Sequence, residues 1–180
     1  MLEEKTTASI LIIYSSVDGQ TEKICSYIKE KSKDKNNIKI ININSINDEK
    51  IDKFKKIILG ASIRYGKHDK KVYSFVKKNK ELLDQKKSAF FSVNVVARKE
   101  EKNSPSTNPY VLKFLRQTKW SPNLVNVFAG KVNYPIYGIF DKLIIKLIMF
   151  ITKGPTDTSM AYEFTNWQKV QQFSQEIENL

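Results

Sequence analysis

The feature that most limits the folds open to this chain is a rhythm, in which short apolar runs alternate with longer amphipathic segments. Five runs stand out: Ile10 to Tyr14, Ile38 to Ile43, Lys56 to Ala61, Ala89 to Val93 and Leu124 to Ala129. Each is too short for a stable helix and apolar at most positions, as strands covered on both faces are. Between them the spacing predicts helices over Gln20 to about Lys33, His68 to Leu83 (Val72, Phe75, Val76, Asn79 and Leu83 near one face) and Tyr110 to Lys119, with Asn166 to Leu180 closing the chain. Strands joined by right-handed helical crossovers lie parallel with helices on both faces. The prediction is therefore an α/β, doubly wound, five-stranded parallel sheet in the order 2-1-3-4-5. At 180 residues and 41% hydrophobic content, one core suffices. It is assigned to residues 9–180, with residues 1–8 as a disordered extension.

In such a sheet a ligand sits beyond the carboxyl ends of the strands, near the break between strands 1 and 3. Three loops fall there. Ser15-Ser16-Val17-Asp18-Gly19-Gln20-Thr21 runs straight into a helix, so hydroxyls and backbone N–H groups converge where a helix N-terminus already favours an anion. A phosphate suits this loop if the Asp18 carboxylate turns to solvent; the alternative is that Ser16 or Asp18 simply caps the helix. In Gly60-Ala61-Ser62-Ile63-Arg64-Tyr65-Gly66, two glycines allow backbone to approach a flat ring. Tyr65 can stack on that ring, and Arg64 can pair with a carboxylate or phosphate. In Ser92-Val93-Asn94-Val95-Val96-Ala97-Arg98-Lys99, the Asn94 amide can meet a polar ring edge.

Charge narrows the partners. Thirty-one Lys and Arg against 19 Asp and Glu give +12, a field that favours anionic partners: nucleic acid, anionic lipid or a carboxylate-bearing substrate. No helix-turn-helix, zinc or single-strand-binding pattern appears, so nucleic acid is not expected. The lone Cys25 excludes an internal disulfide and a Cys-rich metal site, and no metal is predicted; Cys25 reads as a small buried hydrophobe. The single His68 is predicted near a helix start and exposed. Met1 to Ser9 is acidic and polar, so no secretion signal is expected.

Taken as a set, Gly60 to Gly66, Phe91 to Lys99, Lys142 to Met149 and Thr156-Asp157-Thr158 resemble the menaquinone-dependent protoporphyrinogen IX dehydrogenase family, from about Ile10 to the C-terminus. The first loop likewise resembles the FMN-phosphate loop of flavodoxins. The resemblance implies a flavodoxin-like fold and noncovalent FMN. It implies oxidation of protoporphyrinogen IX to protoporphyrin IX, a late step of haem synthesis, with electrons passed to menaquinone or ubiquinone. It also implies a peripheral protein on the cytoplasmic side of the inner membrane. The expected cofactor contacts are Ser15, Ser16, Val17, Asp18, Gly19, Gln20 and Thr21, then Ala61, Ser62, Ile63, Arg64, Tyr65 and Gly66, then Ser92, Val93, Asn94, Val95, Ala97 and Arg98. Arg64, Lys67, Arg98 and Lys99 cluster at the mouth as candidate partners for the substrate's two propionates. No catalytic base is identified.

An insert around strand 5, about residues 131–153, is rich in aromatic and basic residues: Tyr134, Pro135, Tyr137 and Phe140 lead into Asp141 to Lys153. At helical spacing Lys142, Lys146 and Lys153 share a narrow face, and Leu143, Ile144, Leu147, Ile148, Phe150 and Ile151 cover most of the rest. The stretch is too short and charged to cross a bilayer, which needs about 20 apolar residues. It suits a helix lying in the interface, with Lys142, Lys146, Leu143, Leu147 and Phe150 as membrane contacts; burial in the core or in a homo-oligomer interface are the alternatives. Two other flavin readings compete. A soluble electron carrier usually has a strongly negative surface, opposite to this one, and an NAD(P)H quinone reductase needs a nicotinamide site, for which no motif appears.

Overall fold

The computed structural model describes residues 9–46 and 49–180; the extension 1–8 predicted to be disordered lies outside the described residues. Strand β1 (Ile10–Ser15) is buried at all six positions because it pairs on both sides, with β2 (Ile38–Asn42) and with β3 (Lys56–Arg64), both parallel. Beyond β3 come β5 (Lys87–Asn94) and β6 (Leu124–Ala129), also parallel, so the order is β2-β1-β3-β5-β6. This is the predicted 2-1-3-4-5 topology. The period-2 alternation of strands then decides which helix each residue meets. Leu11, Ile13, Ile57, Leu59 and Phe90 pack towards α2 (Lys70–Gln85) and α3 (Pro109–Thr118). Ile12, Tyr14, Ile58, Phe91 and Val93 pack towards α1 (Gln20–Lys31) and α5 (Trp167–Glu178). Cys25 is fully buried in the second layer, where burial pushes its thiol pKa up. Asn79, on the apolar side of α2 in sequence, bends that helix by donating from its amide to the Phe75 carbonyl at 2.8 Å.

Close packing dictates one glycine in the central strand. A Cβ on Gly60 would lie 2.3 Å from Cζ of Phe91, in the aromatic cluster Phe91, Phe128 and Phe173.

The His68 expectation is overturned. β3 runs on to Arg64, turns at Tyr65-Gly66 (φ 48° and 76°) and returns as a two-residue antiparallel strand, β4 (Lys67–His68). Two consecutive positive φ values fit a two-residue hairpin turn, and the turn carries His68 inward rather than onto a helix surface. Its ring is 2% exposed, packs edgewise on Phe114 and Phe90, and places Nε2 3.0 Å from Ser92 Oγ. Burial pushes its pKa from the ordinary 6.5 down to about 3. Between those values the unfolded chain binds a proton that the folded one refuses, so this contribution to stability is complete above pH 6.5 and lost as pH falls towards 3. Replacing His68 with Gln should flatten the acid limb of a denaturant-midpoint profile by up to about 1.4 kcal/mol per pH unit. Superimposable slopes for the two proteins would show that His68 is not the group responsible.

After β6 the chain makes an excursion that closes at Glu163, through a ribbon of β7 (Lys131–Asn133) and β8 (Ala161–Glu163). Phe164 N donates to Gly130 O at 3.0 Å, so the two ends of the excursion meet. Inside it Val132, Tyr134, Tyr137 and Met149 form a separate small core. Helix α4 (Ile139–Ile151) docks along one seam, with Met149 buried and Ile145 and Asp141 partly so at i−4 and i−8. Leu143, Ile144, Leu147, Ile148, Phe150 and Ile151 are all exposed, which removes burial in this chain's own core as an explanation of the stripe. No helix among the described residues is long and apolar enough to cross a membrane.

Candidate active site

The carboxyl ends of β1, β3 and β5 bring the three loops together, as parallel strands must. In the first loop, Gly19 is the N-cap of α1 with φ 80°, and no side chain caps the helix. The capping alternative for Ser16 and Asp18 therefore falls. Ser16 Oγ and Thr21 Oγ1 are buried and have no hydrogen-bond partner among the described residues. Two buried, unpaired hydroxyls beside the open N-terminus of a twelve-residue helix fit a phosphate, which would satisfy both. Gln20 contributes backbone only, since its amide donates to Thr165 Oγ1 at 2.8 Å.

Asp18 does not turn to solvent as the phosphate reading required. Its Oδ2 accepts from Tyr137 Oη at 2.7 Å and pairs with Arg64 Nη1 at 3.1 Å, drawing the carboxylate away from the phosphate loop and towards the excursion. Arg64 lies between two tyrosine rings, 5.1 Å from the centroid of Tyr65 and 5.0 Å from that of Tyr137. Its Nη2 reaches Asp141 Oδ2 at 2.6 Å, and the Tyr65 hydroxyl donates to the same carboxylate. These two partners, Tyr65 first, hold the Asp141 carboxyl below the usual carboxylate range. Burial, reinforced by Asp18, pushes the Tyr137 phenol up to about 12, so it remains a donor at neutral pH.

The third loop is more structural than predicted. Ser92 faces the α2–α3 layer and is fully buried against His68. The Asn94 amide is turned inward: Oδ1 accepts from Ala97 N at 3.1 Å and from Asn108 Nδ2 at 3.2 Å, and Nδ2 donates to Ser92 Oγ at 3.2 Å. It shapes the loop rather than presenting donors to a ring. Arg98 is likewise committed, donating to Val95 O at 3.0 Å and to both Thr152 O and Thr152 Oγ1 at 2.8 Å, which fastens the C-terminal end of α4. Burial lowers its pKa.

One cleft gathers Ser16, Val17, Asp18, Gln20, Thr21, Ser62, Ile63, Arg64, Val93, Asn94 and Val95, with Gly130 and Lys131. An adjoining cavity of about 130 Å³ shares Asp18, Ile63, Arg64, Asn94, Val95 and Lys131 and adds Tyr65, Gly66, Val96, Arg98, Tyr110, Val132, Tyr137, Ile145, Ile148 and Met149. Ser15, Gly19, Ala61, Ser92 and Ala97 line neither space. Ser15 and Ala61 lie opposite each other in the sheet, and Lys67 and Lys99 stand outside the cavity. Val96, Tyr110, Gly130, Lys131, Val132, Tyr137, Ile145, Ile148 and Met149 line these spaces and were not among the expected contacts. The signals lay in the insert: Tyr137 stands in the aromatic segment before α4, and Ile145, Ile148 and Met149 stand in the apolar stretch of α4 itself.

A doubly wound sheet with a phosphate-receptive first loop, an aromatic-tipped second loop and the strand order above defines a flavodoxin-class, flavin-binding domain. The flavodoxin domain family matches residues 11–159. Oxidised flavodoxin 1 from Bacillus cereus superposes with a TM-score of 0.53 at 17% identity, covering 94% of this chain and 97% of that one. An archaeal flavodoxin gives 0.53 at 14% identity, covering 94% and 96%. The protoporphyrinogen IX dehydrogenase (quinone) of Escherichia coli strain K12 is 40% identical over 171 residues, 94% of each chain. The Leishmania major enzyme of the same name is 40% identical over 169 residues, 93% of this chain and 73% of that one. The chain belongs to the protoporphyrinogen IX dehydrogenase (quinone) family.

Proposed function

We propose that this protein binds FMN without a covalent bond, oxidises protoporphyrinogen IX to protoporphyrin IX and passes the electrons to a membrane quinone, lying peripherally on the cytoplasmic side of the inner membrane. The observation that carries the reading is the continuity of three surfaces at one mouth. The unpaired hydroxyls of Ser16 and Thr21, the cavity roofed by Ile145, Ile148 and Met149, and the exposed apolar face of α4 adjoin one another. The relatives named for this reaction, alike over nearly the whole chain, support the same assignment.

Ser16, Thr21 and the first N–H groups of α1 would hold the phosphate, and Val93, Val95, Ile63 and Tyr65 would enclose the ring. A bound flavin supplies a two-electron acceptor that both the tetrapyrrole and the quinone can reach in turn. The chain's own residues position and shield. Lys131 presents positive charge to an anionic substrate and Arg64, paired with Asp18 and Asp141, presents directed N–H donors, while Ile145, Ile148 and Met149 keep water from the reacting face. Tyr137, with its phenol pKa near 12, is a fixed donor rather than a base, and His68 is sealed behind Ser92. Neither Tyr137 nor His68 is therefore placed to take the protons that the substrate releases at the mouth.

The test is anaerobic addition of protoporphyrinogen IX to FMN-loaded protein, followed by a quinone. Flavin bleaching with a rise in porphyrin fluorescence, then recovery of flavin absorbance on adding quinone, is the expected sequence. Stable oxidised flavin throughout, with bleaching by NAD(P)H instead, would move the assignment to a quinone reductase.

A further inference from the structure

The Arg64 cluster has a fixed half and a loose half. Asp18 is held by both Arg64 and Tyr137, at 3.1 Å and 2.7 Å. Asp141 lies at the rim: its side chain is 38% exposed, and its other partner, Tyr65, is half exposed at the hairpin tip. Because Asp141 is the third residue of α4, its carboxylate remains favourably placed near the helix N-terminus even when it releases Arg64. An incoming carboxylate could accept from Arg64 Nη2 and Tyr65 Oη in its place, leaving no donor unpaired.

We infer that Asp141 is an internal stand-in for a substrate carboxylate: it occupies the outer arm of Arg64 in the ligand-free protein and is displaced when a carboxylate-bearing ligand enters. This rests on the proposed substrate, whose side chains include two propionates. The ligand is assigned as a carboxylate rather than the cofactor phosphate because the phosphate has its own unpaired donors at Ser16 and Thr21, leaving the Arg64 arm to a second anion. Lys131 at the same cavity adds to the positive field an entering anion meets. Asp141 thereby sets a threshold: a ligand without a carboxylate gains nothing from Arg64, and one with a carboxylate must outcompete a built-in rival.

The experiment measures binding of protoporphyrin IX, and separately of its dimethyl ester, to FMN-loaded wild-type, Asp141→Asn, Asp141→Ser and Arg64→Met proteins by fluorescence titration. Both Asp141 variants should bind the diacid about fivefold more tightly than wild type, the scale of removing one partly exposed ion pair, with no change for the ester. Arg64→Met should weaken the diacid alone. Equal affinities of wild type and both Asp141 variants for the diacid would overturn displacement. Equal affinities of wild type for diacid and ester would overturn carboxylate recognition. If the Asp141 variants instead gain affinity for FMN over riboflavin, the arm serves the phosphate and the inference fails. Absence of any porphyrin binding by wild type would bring down the substrate reading and this inference together, an outcome distinct from the others.

Discussion

Simultaneous replacement of Leu143, Leu147 and Phe150 by glutamate should leave Tm within a degree or two of wild type and lower binding to anionic vesicles roughly a hundredfold or more. The two halves of that result have one cause. All three side chains are at least 59% exposed, so the folded monomer loses almost no packing when they change. In the lipid interface, each such side chain would remove apolar surface from water for about 2 kcal/mol, and each new carboxylate would repel anionic headgroups by about 1 kcal/mol. Co-sedimentation undiminished in the folded triple variant would sink the membrane role. If gel filtration instead shows a wild-type dimer becoming a monomer, the apolar face is a homo-oligomer interface. Quinone-coupled turnover on vesicles should fall with binding, whereas bleaching of the flavin by soluble substrate should survive.

The second large effect concerns the phosphate loop, and its signature is a pair of opposite signs. Replacing Ser16 with Ala and Thr21 with Val removes two buried hydroxyls that have no partner among the described residues. The ligand-free protein should therefore become more stable, by about 1 kcal/mol per site, since an unsatisfied buried polar atom is being deleted. FMN affinity should meanwhile fall about tenfold to a hundredfold per site, because each hydroxyl's bond to a charged phosphate is lost. Riboflavin, which lacks the phosphate, serves as the control and should bind as before. Equal losses for FMN and riboflavin would mean that the substitutions disturb the ring site or the loop as a whole, and the phosphate assignment would fail.

The sheet was readable in the sequence because its strands are buried on both faces. Leu124 to Ala129 is a strand over the range its composition predicts, and the parallel order follows from crossovers that leave few alternatives. What escaped was decided by contacts between distant residues. Lys131–Asn133 and Ala161–Glu163 are three-residue strands whose only regularity is each other. His68 reads as surface until the Tyr65-Gly66 turn folds it onto Ser92, which no local pattern announces. At the site, the sequence places the hydroxyls of Ser16 and Thr21 at the start of α1, and the structure leaves both buried and without a partner among the described residues. Asn94 and Arg98 line the cavity as expected of their positions, but their side chains are also committed to holding a turn and a helix end, which their residue types do not announce. Among their partners, Ala97 N and Thr152 O are backbone atoms that carry no side-chain signal.

In the ligand-free protein α4 is fastened at both ends, to Arg64 through Asp141 and to Arg98 through Thr152, which restricts the roll of the helix about its own axis. The roll angle determines which generatrix of the cylinder meets a flat surface, so the rest of the molecule has a single attitude when the helix lies in that surface. Were α4 to lie in a lipid surface as proposed, the cavity lined by Ile145, Ile148 and Met149 would adjoin that surface. For a hydrophobic electron acceptor dissolved in the bilayer, encounter becomes a two-dimensional search within the leaflet. No passage through water is required, and the encounter rate depends on the acceptor's surface density rather than on its negligible aqueous concentration.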